Sequence, residues 1–387
     1  GTTDEVLHSP GLFSAKGTAS GGSHRVSAPR EDTLCRTVYR RCYTQPGVKP
    51  LFLRSAGAIR RGILAMITRN RWVTLLCLVF LSMPAIVLAE DDDEIEELQE
   101  KLEAIATVDK KVMVPMRDGI RLATDIYRPK GADGDLPTIF MRTPYNFNSL
   151  GKRTLETIID FIDSGYAYVM QNERGKFFSE GEWEILGFPR TDGYDALTWI
   201  AEQPWSNGKV GTIGCSSSAE WQLALAATDH PAHAAMVPMA SGAGIGRVGS
   251  FYEQGNWYRG GVFQMLFASW LYGVQNTQRP TLPEGLPQED VVRLSKYFDL
   301  APDMPEVEWD AAMRHLPLVE IMASVDGPKG MYAEFIARTP DDPVWYEGGL
   351  YHDHEPWGVP SLWLNSWYDI SVGPNLALFN HVTHNAE

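Results

Sequence analysis

At 387 residues, 44% hydrophobic and 21% charged, the chain has the size and composition of a globular protein with one large domain or two smaller ones. Its charge is unevenly placed: residues 1–89 carry 12 Lys and Arg against 4 Asp and Glu, and residues 90–387 carry 22 against 45. A body with a net charge of −23 argues against nucleic acid as a partner.

Residues 1–65 show no sustained periodicity and are rich in Ser, Gly and Arg. They read as a mis-assigned or non-native upstream segment, with Met66 as the expected start. Residues 66–89 have a basic opening at Arg69 and Arg71, an apolar run from Val73 to Leu88, and small residues at Val87 and Ala89. That is the pattern of a secretory signal peptide, which places the mature protein outside the cell or in the periplasm. A retained signal anchor is the alternative, but the run is short for a span and is broken by Ser82 and Pro84. No stable membrane span is expected after cleavage. Of the cysteines Cys35, Cys42, Cys77 and Cys215, only the last lies beyond residue 89, so the mature body is expected to hold no internal disulfide.

Residues 90–107 form an acidic lead-in with Ile95, Leu98, Leu102 and Ile105 on one helical stripe. Strands are predicted at Lys111–Met116 and Ile120–Tyr127 around the turn Arg117-Asp118-Gly119, then at Pro137–Arg142, Tyr166–Gln171, Val210–Ile213 and Ala234–Pro238. Helices are predicted between them, one with Leu155, Ile158, Ile159 and Ile162 on its buried face and one over Asp192–Glu202. Alternating strands and helices imply an α/β fold with a doubly wound, mostly parallel sheet. Residues 108–245 would be the first part of this core. Residues 246–350, with a long helical stretch from Trp257 to Tyr272, read as an inserted helical cap. Residues 351–387 resume the core, with Ser361–Asn365 as its next strand.

The chemistry is concentrated at Gly211-Thr212-Ile213-Gly214-Cys215-Ser216-Ser217-Ser218-Ala219, between an apolar strand and a helical pattern from Trp221 to Ala227. Strand, tight turn, serine and helix make a nucleophile elbow, in which small residues let the strand and helix backbones approach. Ser216 stands at the nucleophile position. Cys215 beside it is expected to point away from substrate.

Four further segments follow in order: Arg142-Thr143-Pro144-Tyr145; Asn172-Glu173-Arg174-Gly175 leading to Ser179-Glu180-Gly181; Asp192-Gly193-Tyr194-Asp195 with Gln203-Pro204-Trp205-Ser206; and Trp367-Tyr368-Asp369 after the cap. Together they resemble the α/β-hydrolase family that holds cocaine esterase, the α-amino-acid ester hydrolases and the Xaa-Pro dipeptidyl-peptidases, over roughly residues 108–380. The resemblance implies Ser216 as nucleophile and Asp369 as the acid of the triad. It also implies Tyr145 as a hydroxyl donor to the oxyanion, with the backbone N–H of Ser217 as the second donor. Ser217 replaces the family's usual tyrosine, and Ala219 its final glycine. Arg174, Asp192 and Asp195 match family positions as scaffold. Against these roles stand plainer ones: a turn serine, a packing tyrosine and a helix-capping aspartate.

A serine–aspartate pair needs a base, and the resemblance places the histidine 25–30 residues after Asp369, beyond Glu387. His381 and His384 follow the acid too soon. His352 and His354 precede it, and His230 and His233 read as structural. On this reading the triad is incomplete, the family's C-terminal jelly-roll domain is also missing, and the chain as written is expected to be inactive. No cofactor and no metal site are predicted; His352-Asp353-His354 is a weak mimic of one.

The implied reaction is hydrolysis of a small ester or a peptide amide through an acyl-enzyme. Ser371 and Val372 stand where α-amino-acid ester hydrolases carry carboxylates, which argues against that branch. Glu253, Asp341, Asp342 and Glu347 are candidates for holding a substrate amino terminus. Trp257, Tyr258, Phe263 and Trp270 either line an acyl pocket or form the cap's own core. A non-catalytic binding protein on the same scaffold is the alternative from another class. The oligomeric state is not legible in the sequence.

Overall fold

The computed structural model describes residues 93–132, 134–252, 257–259, 262–275, 287–289, 305–327, 330–339, 342–346 and 348–385. The upstream segment 1–65, the segment 66–89 expected as a signal peptide and the residues Glu253, Asp341 and Glu347 lie outside them.

Helix α1 (93–105) runs into β1 (Ala106–Pro115), which turns at Arg117-Asp118-Gly119 into β2 (Arg121–Pro129). There follow β3 (Leu136–Thr143), α2 (Lys152–Asp163), β4 (Ala167–Asn172), α3 (Tyr194–Ala201), β5 (Ser206–Cys215), α4 (Ser217–Ala226) and β6 (His233–Met239). The sheet order is β1-β2-β4-β3-β5-β6. β1 pairs antiparallel with β2, and β2 antiparallel with β4. The β4–β3, β3–β5 and β5–β6 pairs are parallel. Parallel bridges from Met236 to Ser361 and from Met239 to Leu364 add the predicted Ser361–Asn365 segment at a seventh position.

Both faces of the sheet are covered, which is what parallel strands with apolar side chains on both sides require. β4 is buried along its whole length. On one face, Leu155, Ile158, Ile159 and Ile162 of α2 pack with Leu102 of α1 against Tyr127, Tyr168 and Met170. The predicted i, i+3, i+4, i+7 stripe is this contact. On the other face, Leu197 and Ile200 of α3 and Trp221 and Leu225 of α4 pack on Ile126, Phe140, Val169 and Val210. Phe140 and Trp221 meet edge to face, 5.6 Å apart.

The predicted start of the second helix at Asp192 is reshaped. A π-helical turn over Pro189–Gly193 precedes α3, because the Phe188 carbonyl accepts from the N–H groups of Thr191, Asp192 and Gly193. This turn sets Asp192 fully inside. Its carboxylate takes two bonds from Arg174, at 2.6 and 2.9 Å, and lies 3.8 Å from the buried Arg142. Arg174 also pairs with Asp118, and Asp195 with Arg117. The scaffold reading of Arg174, Asp192 and Asp195 therefore has its ion pairs.

Beyond β6, β7 (Ile245–Val248) pairs antiparallel with β8 (Phe251–Tyr252). The expected helix from Trp257 to Tyr272 does not form as one piece. β9 (Tyr258–Arg259) and β10 (Val262–Phe263) make a short ladder, and α5 spans only Leu266–Val274. The Gly260-Gly261 pair interrupts the helical pattern at a cost of about 1 kcal/mol per glycine. Helices α6 (Trp309–Ala312), α7 (Ile321–Ser324) and α8 (Met331–Ala337) complete the described cap. Its core holds Trp257, Phe267, Leu271, Ile321 and Tyr332, with Tyr258, Phe263 and Trp270 packed against it. These aromatics are thus the cap's own core. β11 (Tyr351–His352) pairs with β7, and α9 (Val372–Asn385) closes the described chain.

Arg142 is wholly buried and depends on Asp192 for charge balance. Replacing Asp192→Asn is expected to destabilise the fold by about 3–5 kcal/mol, as removal of one partner of a buried ion pair does. Urea unfolding of the full chain reads it; a loss below about 1 kcal/mol would mean Asp192 is not what balances Arg142.

Candidate active site

The turn from β5 to α4 is dictated by one glycine. A Cβ on Gly214 would lie 1.8 Å from the Ser218 carbonyl oxygen and 2.4 Å from its carbon, so no side chain fits there. Between them Ser216 takes φ 56°, ψ −132°, a conformation that costs a non-glycine residue about 1–3 kcal/mol. Its N–H donates to Met239 O (2.9 Å), and its carbonyl accepts from Ala219 N (2.7 Å) and Glu220 N (3.0 Å). Ser216 is exposed while Ser217 and Ser218 are buried. At a helix start the first N–H groups have no intrahelical acceptor, which leaves that of Ser217 available.

Sheet register carries the other predicted residues to the same edge. Met239 of β6 pairs with Cys215 on one side and bridges to Leu364 on the other. Ser216 is one residue past Cys215, and Asp369 five past Leu364. Both stand past the carboxyl ends of these paired segments, two strand spacings or about 10 Å apart in the sheet direction. Tyr145 stands two residues past the end of β3. Its loop is tied to the elbow by the Thr143–Ser218 hydroxyl bond (2.8 Å), and its carbonyl accepts from Asn172 Nδ2 (2.9 Å). The phenol oxygen accepts from Trp270 Nε1–H (3.0 Å). This carboxyl edge is where ligands bind in open α/β sheets.

Asp369 is half-buried and held from one side. Its Oδ1 accepts from Ser371 N (2.7 Å) and from the Ser371 hydroxyl, and Ser371 Oγ accepts from Asn375 Nδ2 (3.1 Å). Asn375 Oδ1 in turn accepts from Ser241 Oγ (3.1 Å). The described histidines are placed elsewhere. His381 and His384 lie nine and twelve residues past the start of α9, about 14 and 18 Å along its axis. His384 Nδ1 is 2.6 Å from Asn380 O. His230 accepts from Ala232 N and bonds Thr198, and His233 bonds Thr212. The electrostatic neighbours of His352 are Glu355, His354, Arg190 and Asp353. Asp353 accepts from Gly249 N, and among the described residues no three His, Cys, Asp or Glu groups converge as a metal ion needs. Asp342 accepts from Val344 N, closing its own turn.

Two carboxyl groups of this region escaped the sequence reading. Glu173 is wholly buried and accepts from Trp183 Nε1 (2.8 Å). Burial pushes its carboxyl up to about 7, against the pull of Arg142. Glu220, one turn past Ser216 on a helix buried on every side, is pushed up to about 8 by burial, with repulsion from Glu173 and Asp369 adding. The available signal was a lone glutamate inside the apolar pattern Ala219 to Ala226. Between the ordinary value of 4.5 and about 8 the folded chain holds a proton on Glu220 that the unfolded chain releases. This contribution is fully present below pH 4.5 and is lost as pH rises through 8. Glu220→Gln is therefore expected to match the parent in melting temperature near pH 5 and exceed it near pH 9. The gap should be on the order of 5 °C and is read by thermal scans across pH. A pH-independent gap would sink this account.

Comparison with known proteins shows the family and the fold. Residues 118–387 match the family model described as X-Pro dipeptidyl-peptidase (S15 family). Cocaine esterase of Rhodococcus sp. (strain MB1 Bresler) is 32% identical over 293 residues, covering 73% of this chain and 47% of the esterase. A crystal structure of an aminopeptidase from a marine sediment Thaumarchaeota archaeon superposes with a TM-score of 0.54 at 24% identity, covering 72% of this chain and 46% of that one. The chain spans about half the length of these relatives. With an α/β-hydrolase sheet, a strand–serine–helix turn at its carboxyl edge and a family match over most of its length, the chain belongs to the X-Pro dipeptidyl-peptidase (S15) family.

Proposed function

We propose that the protein is a secreted serine hydrolase that cleaves an ester, or an amide of the Xaa-Pro type, through an acyl-enzyme on Ser216. The observation that carries this reading is the exposed Ser216 at φ 56° in a turn where Gly214 admits no side chain. Membership of a family described by its peptidase, and the esterase name of a 32% identical relative, support hydrolysis of an acyl bond. Secretion rests on the sequence pattern of residues 66–89.

In this reading Ser216 Oγ adds to the substrate carbonyl carbon, and its proton passes to an imidazole. The new oxyanion takes hydrogen bonds from Ser217 N–H and Tyr145 O–H, each worth about 3–4 kcal/mol in such sites. The imidazolium returns the proton to the leaving alcohol or amine, and water repeats the sequence on the acyl-enzyme. Asp369 orients the imidazole through Oδ2 while Ser371 fixes Oδ1. The base is a histidine at a position that His381 and His384, displaced along α9, do not fill.

A fluorophosphonate probe on the full-length protein is expected to label Ser216, and Ser216→Ala to lose the label, as read by mass spectrometry of the adduct. A well-folded protein that takes no label would favour the non-catalytic binding reading. Ser371→Ala removes the hydroxyl bond to Asp369 and is expected to lower kcat/KM about 10- to 100-fold, the range for a hydrogen bond to a charged group. Steady-state kinetics with a chromogenic ester checks it, and unchanged kinetics would free Asp369 from dependence on Ser371.

A further inference from the structure

We propose that Trp270 is a positioning residue for the reaction: its indole N–H sets the direction of the Tyr145 hydroxyl proton, so that the cap completes the oxyanion site. The inference rests on the reading of Tyr145 as an oxyanion donor.

An indole nitrogen only donates, and a phenol has one proton and acceptor lone pairs on the same oxygen. At 3.0 Å between Trp270 Nε1 and the Tyr145 oxygen, the phenol must accept and its proton must turn away from Trp270. A phenol that accepts one hydrogen bond also donates more strongly through its own O–H, because the two bonds polarise each other. Without Trp270 this constraint on the proton is lost, and part of the population would present a lone pair to the developing oxyanion.

Trp270 is itself fixed. It packs against Phe267 of its own helix, with ring centroids 6.0 Å apart, and against Trp183 of the core at 5.9 Å. Trp183 is bonded to Glu173, and the Lys176 ammonium lies 3.8 Å from its ring centre. Lys176 also donates to the carbonyl of Val274, four residues and one turn beyond Trp270 on α5. The face of α5 that carries Trp270 and Val274 is therefore bonded to the core twice, once at Tyr145 and once at Lys176. Tyr145 and Trp270 are 125 residues apart in sequence, one in the core loop after β3 and one in the cap.

The test uses the full-length protein with a small chromogenic ester and variants Trp270→Phe, Tyr145→Phe and the double mutant. Trp270→Phe keeps an aromatic ring and removes the N–H. It is expected to lower kcat about tenfold with KM changed less than about threefold, and to slow fluorophosphonate labelling of Ser216 in parallel. Tyr145→Phe is expected to cost about 100-fold or more, and adding Trp270→Phe to it should cost nothing further. A loss from Trp270→Phe that is as large without the Tyr145 hydroxyl, or one that falls on KM alone, would overturn the proposal and leave Trp270 a packing residue. A Tyr145→Phe variant as fast as the parent would instead overturn the oxyanion reading beneath it. A readout independent of turnover is the indole 15N–1H resonance of Trp270, identified by its absence in Trp270→Phe. It is expected to shift in Tyr145→Phe, and a resonance unmoved by that change would refute the bond.

Discussion

The molecule is organised around one close approach, the backbone of Ser218 lying where a Cβ of Gly214 would be. It brings the end of β5 and the start of α4 nearly into contact, and α4 then runs down the sheet with all ten of its residues buried. Most of so enclosed a helix is small or apolar, as Ala219, Leu223, Ala224, Leu225 and Ala226 are, while Glu220 and Gln222 are polar groups buried with it. On the far side Gly244 leaves room for the Glu220 backbone, since its Cβ would sit 2.3 Å from the Glu220 oxygen. The strain at Ser216 is held by this enclosure: the turn cannot relax without parting Phe140 from Trp221 on one side and β6 from the Ser216 N–H on the other.

The carboxyl groups around the turn sit in different surroundings. Asp369 accepts two bonds on one oxygen from Ser371. Glu220 has Glu173 and Asp369 as its electrostatic neighbours, and burial raises its carboxyl to about 8. Near neutral pH burial thus favours the protonated form of Glu220. Lys176 follows the same rule with opposite sign. Burial lowers its ammonium to about 7, against the pull of Glu173.

Much of this arrangement was legible in the sequence, because it is local. The α2 stripe, the strand–serine–helix turn and the strand after the cap each declare themselves within a dozen residues. The predicted strands Val210–Ile213 and Ala234–Pro238 are six and two residues shorter than β5 and β6, since ladder pairing extends past the apolar runs. What escaped was non-local or context-driven. The π-helical turn before α3 depends on the left-handed Phe188 carbonyl. The late start of α5 at Leu266 is masked in the sequence by the continuous aromatic pattern from Trp257. Trp270 was read as core or acyl-pocket lining, and only the fold brings its N–H to Tyr145. The raised carboxyls of Glu173 and Glu220 follow only from their complete burial, which the fold supplies.

The distribution of backbone strain gives an independent pointer to the same edge. Nine non-glycine residues among the described ones have left-handed φ. Five of them, Phe177, Leu186, Phe188, Ser216 and Ala240, follow the carboxyl ends of β4, β5 and β6. Asp135 and Asp229 precede β3 and β6 at the opposite edge, and aspartate tolerates this conformation through local hydrogen bonding. Lys111 lies at the bulge between β1 and β2, and Asp326 in the cap. Bulky residues with no such tolerance are thus concentrated where the strands end. Each costs on the order of 1–3 kcal/mol and persists only where surrounding contacts leave no alternative. Stability alone would favour glycine or a relaxed turn at such positions. That Phe, Leu and Ser occupy them along one edge, beside the buried Glu173 and Glu220, argues that the edge is shaped by a requirement other than folding.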